Sequence, residues 1–211
     1  MRRTGRKSAG HRREGRRARS ARRDGTCRGG PAPRDQFTFA RAKERTRETG
    51  IAYAKALRAA LGGAVAIVIA TVVSNILFFQ AGRSILFETE RQSPKVIAVL
   101  FEMEPLPLMF TNGPLYLAIA AGLGAIHGLV FFWIEPALPR GIVRRGASFG
   151  VILWALMALY FEFHAPFNMF GEPPGLVAVE LAFWVVVTLV QGLALSALYG
   201  KGRHELASPV E

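Results

Sequence analysis

The chain has 211 residues, with 27 Lys and Arg against 15 Asp and Glu and a formal charge of +12. Half of it (51%) is nonetheless apolar, and mean hydropathy is +0.24. Residues 1–58 hold 19 basic and 5 acidic residues, whereas residues 59–211 hold 8 and 10. Charge confined to one end excludes an ordinary soluble domain, and a single cysteine, Cys27, excludes a disulfide-built module.

Residues 1–40 read as a disordered, Arg-rich cytoplasmic tail. Scarcely a bulky apolar residue precedes Phe37, so little offsets the entropy of ordering. The tail reads first as topogenic charge, or as an over-extended start of translation. Its alternatives are contact with anionic lipid, worth about 1 kcal/mol per basic residue near the surface, organelle targeting, and contact with nucleic-acid phosphates. With little aromatic interleaving, no specific nucleic acid is expected. Residues 41–58 alternate basic and acidic groups with good helix formers. They are predicted as a juxtamembrane helix that can extend the first span.

Four uncharged or nearly uncharged runs follow, predicted as spans at about 59–82, 114–134, 146–165 and 174–200. A spanning helix needs roughly 20 apolar residues. The first two lack charge on every face, which argues against the buried core of a soluble all-α protein. Pro114 suits a first helical turn. The third run, from Gly146 to Phe161, reaches spanning length only if it continues through Glu162 and His164 to Ala165. Between the first two spans, Ser93-Pro94 resembles an N-cap followed by proline. The six apolar residues Val96–Phe101 are too few to span; they either lie in the interface or pack over the mouth of the bundle.

With the N-terminus in the cytoplasm, 24 of the 27 basic residues fall on that side and only Arg83, Arg91 and Lys95 fall outside. The positive-inside rule then puts both termini in the cytoplasm, and residues 201–211 form a cytoplasmic tail. The expected location is a membrane, the bacterial inner membrane first, with the lipid bilayer as the first partner.

Small residues at four-residue spacing mark a packing face on each span. They are Gly62, Ala66 and Ala70; Gly124 and Gly128; Gly146 and Gly150; and Gly192 and Ser196. The reading is contact within one bundle, with a homodimer as the other use of the same faces.

Ionisable groups inside a membrane are costly and therefore candidates for function. Asn75, Glu162, His164 and Glu180 are expected at one depth and form a candidate polar pocket in the outer half. His127 and Gln191 share a deeper level as a candidate inner pair. Glu180, Trp184 and Gln191 share one face of the last span. The competing reading is that Glu162, His164 and Glu180 merely cap helices near the headgroups. Glu162 and His164 are two apart, on different sides of a helix, so both could ligate only where the helix has ended; no metal site is predicted. His127 and His164 lie at different depths, which argues against haem. No catalytic constellation, phosphate loop or dinucleotide fingerprint is present, and neither an enzyme nor a cofactor is expected. The loop 165–174 is read as an interfacial aromatic turn, with a lid over the pocket as the alternative.

Arg145-Gly146-Ala147-Ser148-Phe149-Gly150, followed by Trp154, resembles a segment of small bacterial four-span integral membrane proteins of uncharacterised function. Gly124 to Gly128 with Phe131-Phe132-Trp133 is similar in style. The resemblance covers spans two to four and implies no activity. The fold class expected is an all-α transmembrane four-helix bundle. The first functional reading is a structural or accessory membrane component; the alternative is a small proton- or cation-coupled carrier.

Overall fold

A computed structural model of the chain describes residues 34–88 and 90–205, with side chains at 44–88 and 90–200. The expectations for the tail up to residue 33, for Cys27 and for residues 206–211 fall outside the described residues. The chain divides into two units, Met1–Lys43 and Glu44–Glu211. Of the first, residues 34–43 are helical, so helix begins inside the stretch read as a tail. The rest concerns the second unit.

The helices are α1 (Arg34–Asn75), α2 (Arg83–Leu86), α3 (Pro94–Ile97), α4 (Leu108–Thr111), α5 (Gly113–Ile134), α6 (Ile142–Leu153), α7 (Leu159–Glu162) and α8 (Pro174–Glu205). Wide π-type turns extend several of them, at Ile76–Ala81, Ala98–Glu102, Trp154–Ala158 and Phe163–Met169. No proline falls between Pro33 and Pro94, so nothing breaks α1 between its charged first half and its apolar second half. Asn112 Oδ1 accepts from the Leu115 N–H at 3.1 Å and, with Pro114 in the first turn, fixes the start of α5. Gly141, at φ 96°, makes the sharp entry into α6.

Four continuous helical rods are long and apolar enough to cross a membrane: Glu44–Ala81, Gly113–Ala137, Ile142–Met169 and Pro174–Gly200. The third is longer at both ends than expected. It carries Arg145 inside because the guanidinium meets Glu135 at 3.0 Å, with both side chains nearly buried. It runs past Pro166 because its last turns are π-type, which tolerates the missing N–H of proline.

Two close helix crossings build the bundle. A Cβ on Gly63 would strike the backbone of Gly124 and Gly128, and one on Gly128 would strike Ala59. Cβ atoms on Gly146, Gly150 and Gly192 would likewise strike the facing backbone between α6 and α8. Such approach replaces the hydrophobic effect as the force between helices in lipid. Ala66 and Ala70 are buried, and Ser196 Oγ donates to the Ile142 carbonyl at 2.9 Å. Gly62 faces Leu195 and Leu198 of α8 at ordinary contact distance. The two pairs join through a core of Phe131, Phe149, Leu195 and Tyr199, in which Phe131 stacks edge-on against Phe149 and Tyr199 at 5.1 and 5.6 Å.

The outside is the reverse of a soluble protein's. Leu61, Val65, Ile69, Val72 and Ile76 run exposed down one face of the first rod, and Trp133 and Leu156 are exposed on two other rods. A continuous apolar exterior on four rods of spanning length makes this an all-α transmembrane four-helix bundle, with no strand among the described residues.

Candidate functional site

The inner face of α8 carries Glu180, Trp184, Thr188 and Gln191, at the spacing that keeps side chains on one face. At the end of the bundle that bears the 82–112 and 170–173 connections, here the distal end, this face meets the end of the third rod. Trp184 Nε1 donates to Glu162 Oε1 at 2.5 Å. Glu162 Oε2 is sealed from solvent and meets no N–H or hydroxyl donor among the described residues. The Glu180 carboxyl lies within hydrogen-bonding reach of both Glu162 and Glu172. All three are buried, at 1, 7 and 2% exposure for Glu162, Glu180 and Glu172. Ionised carboxylates only accept hydrogen bonds. A bond between two of them therefore requires a proton on one.

Glu172 stands in the connection between the third and fourth rods. Its Oε1 accepts from Gln92 Nε2 at 2.7 Å. Burial pushes its carboxyl above its ordinary value, against the opposing pull of the bonds to Gln92 and Glu180. Gln92 also donates to the Leu86 carbonyl at 2.9 Å and accepts from the Ser93 N–H at 2.6 Å. Ser93 stands at the N-cap of α3, but its hydroxyl donates across to the Phe170 carbonyl at 2.5 Å instead of capping the helix. The two distal connections are thus tied by two hydrogen bonds over the carboxyl group. Gly171, at φ 65°, reverses the chain so that Glu172 points inward.

Beneath this tie lies a cavity of about 280 Å³. Glu162, Glu172 and Glu180 line one part of it, and the rings of Phe78, Phe79, Phe87, Phe161, Phe170 and Trp184 line much of the rest. Val96, Val99 and Leu100 of the short apolar segment also line it, as do Pro166 and Phe170 at the end of the third rod and the connection after it.

Of the expected pocket, Glu162, Glu180 and Asn75 line this one cavity; Asn75 turns its amide N–H to the Thr71 carbonyl at 2.9 Å. His164, expected in the same pocket, does not join them. The helix continues to Met169, so a residue two beyond the inward Glu162 points outward. Its ring is exposed and lies against Tyr160 and Phe163, at 4.2 and 5.4 Å between centroids. Gln92 and Glu172 complete the group, and no motif or period marks them in the sequence. The one available signal was an acidic residue between Gly171 and Pro173, which alone reads as a surface loop.

A second cavity of about 370 Å³ shares Ser74, Tyr116, Phe161 and Trp184 with the first. His127 Nδ1 and Gln191 Nε2 meet on its wall at 2.8 Å. Trp184 stands between the carboxyl group and this deeper pair. No group of three or more His, Cys, Asp or Glu among the described residues has metal-holding geometry.

No protein-family model, curated protein or solved structure matches the chain.

Proposed function

We propose that the protein is a small proton-coupled carrier, with both termini in the cytoplasm of a bacterial cell and the distal cavity opening outward. The observation that carries the reading is the burial of Glu162, Glu180 and Glu172 together on the wall of one cavity, with the Glu180 carboxyl in reach of the other two. Three carboxyls with no lysine, arginine or histidine among the lining residues are neutralised either by protons or by a guest cation. Exchange of one for the other is the elementary step of a coupled carrier. The outer loop 83–104 adds Glu88, Glu90, Glu102 and Glu104 against Arg83, Arg91 and Lys95, a balance that favours approach of cations. The Trp184–Glu162 bond supplies the coupling element: loss of the carboxyl's proton, or arrival of a cation, alters what the indole is held by, and Trp184 lines both cavities. A structural or accessory component needs no sealed carboxyl group, which is why the carrier reading is preferred.

The test uses purified protein in vesicles that trap a pH dye. A proton gradient is imposed, and sodium, potassium and a quaternary ammonium ion, which has no permeant neutral form, are added in turn. One of these should discharge the gradient with wild-type protein and fail to do so with Glu180→Gln. Equal discharge by both proteins, or none with any cation, would overturn the reading.

A further inference from the structure

We infer that the distal cavity binds a small organic cation, its apolar body against the aromatic wall and its charge against the Glu162–Glu180–Glu172 group; this names the guest of the carrier proposed above and rests on that reading. Two independent features of the cavity converge on this class of ligand. The first is the charge of the lining: Glu162, Glu172 and Glu180 stand on the wall with no lysine, arginine or histidine among the lining residues. Buried carboxyls without a basic partner keep a proton or draw another positive charge. The second is the wall. Phe78 packs on Phe183 and Trp184 at 5.4 and 5.2 Å, and Phe79 is stacked on Phe87 at 5.3 Å and meets Phe110 edge-on at 5.6 Å. The rings are thereby braced by one another before any guest arrives.

A hard inorganic cation would want six or more oxygen ligands around it, and most of this wall is apolar carbon, much of it aromatic. Ring faces beside carboxylates suit an ammonium with alkyl substituents, which gains both cation–π attraction and apolar contact. The volume, about 280 Å³, falls at the small end of ligand pockets, so a compact ammonium fits the site better than a large dye. No bond is made or broken in the guest. It enters as a cation, and the proton shared among the carboxyls leaves to water.

The experiment is calorimetric titration of the full chain in detergent with choline. The comparison is its uncharged carbon isostere, in which a quaternary carbon replaces the nitrogen. Choline should bind, with the isostere roughly tenfold or more weaker, and Glu180→Gln should weaken choline by a similar factor. Phe79→Leu keeps an apolar wall but removes a ring face, and it should weaken choline more than the isostere. Equal binding of choline and isostere, no choline binding, unchanged binding in both variants, or displacement of choline by an equal concentration of sodium would overturn the inference. Choline binding without exchange in vesicles would leave this site standing and remove the carrier. Sodium exchange without choline binding would do the reverse.

Discussion

Gln92 and Glu172 lie 80 residues apart and meet at 2.7 Å, joining the connection after the first rod to the connection after the third. Both are buried, so the bond is closed to water. Replacing Gln92 with Ala leaves the Leu86 carbonyl, the Ser93 N–H and a Glu172 oxygen without their partner. The cost of such a loss is about 1–3 kcal/mol. We expect a lower melting temperature and faster amide exchange confined to residues 83–102 and 170–173; exchange unchanged there would show that the tie does not hold the two connections.

Burial raises the Glu172 carboxyl above its ordinary value, so the folded chain holds that proton more tightly than the unfolded chain does. The resulting stability is fully present below the ordinary carboxylate value and is lost as pH rises through the raised one. The melting temperature of the wild type should therefore decline as pH climbs out of the mildly acid range. Glu172→Gln should flatten that part of the profile, and a variant profile parallel to the wild type's would count against this origin.

Gly62 and Gly63 are neighbours with opposite tolerance. A Cβ at Gly62 would meet Leu195 and Leu198 at 3.4 and 3.5 Å, whereas one at Gly63 would run into the backbone of Gly124 and lie 2.7 Å from the Gly128 nitrogen. We expect Gly62→Ala to be nearly neutral and Gly63→Ala to cost about 1–3 kcal/mol, the scale of overpacking. Thermal melts of the two purified variants distinguish this from a uniform glycine effect.

Glu135 and Arg145 form a nearly buried charge pair at the opposite end of the bundle. Removing one partner of such a pair costs about 3–5 kcal/mol, because the other charge is left buried. Glu135→Gln should sharply reduce the yield of folded protein, and the double variant Glu135→Gln with Arg145→Met should recover much of it. Equal losses in the single and double variants would mean that the pair is not what holds that end.

Much of the fold is legible in the sequence because in lipid the signals are coarse: long uncharged runs, small residues every fourth position, and depth counted from the ends. Depth arithmetic sets His127 level with Gln191, and their side chains meet at 2.8 Å. Periodicity puts Glu180, Trp184 and Gln191 on one face, and that face carries both polar groups. Other features leave no such trace. Small-residue spacing marks Gly62 and does not distinguish it from Gly63, because the choice depends on the rotation of α1 against α5. Gln92 and Glu172 meet through loop conformation, which has no period to read. His164 looks like a member of the pocket only while the helix is thought to end near Ala165; the added turns to Met169 send it outward. Arg145 counts as loop charge until Glu135 is seen beside it.

His164→Ala separates the pocket from its surroundings. The ring is exposed among Tyr160 and Phe163, so the variant should bind choline and discharge the proton gradient as the wild type does. A loss comparable with that of Glu180→Gln would return His164 to the site.

The central claim is that a cation and a proton compete for one carboxyl group. Counting the protons released into weakly buffered solution when choline saturates the purified protein tests it most directly. Release from the wild type that is absent in Glu180→Gln is the expected result; choline binding with no proton released by the wild type would contradict the account.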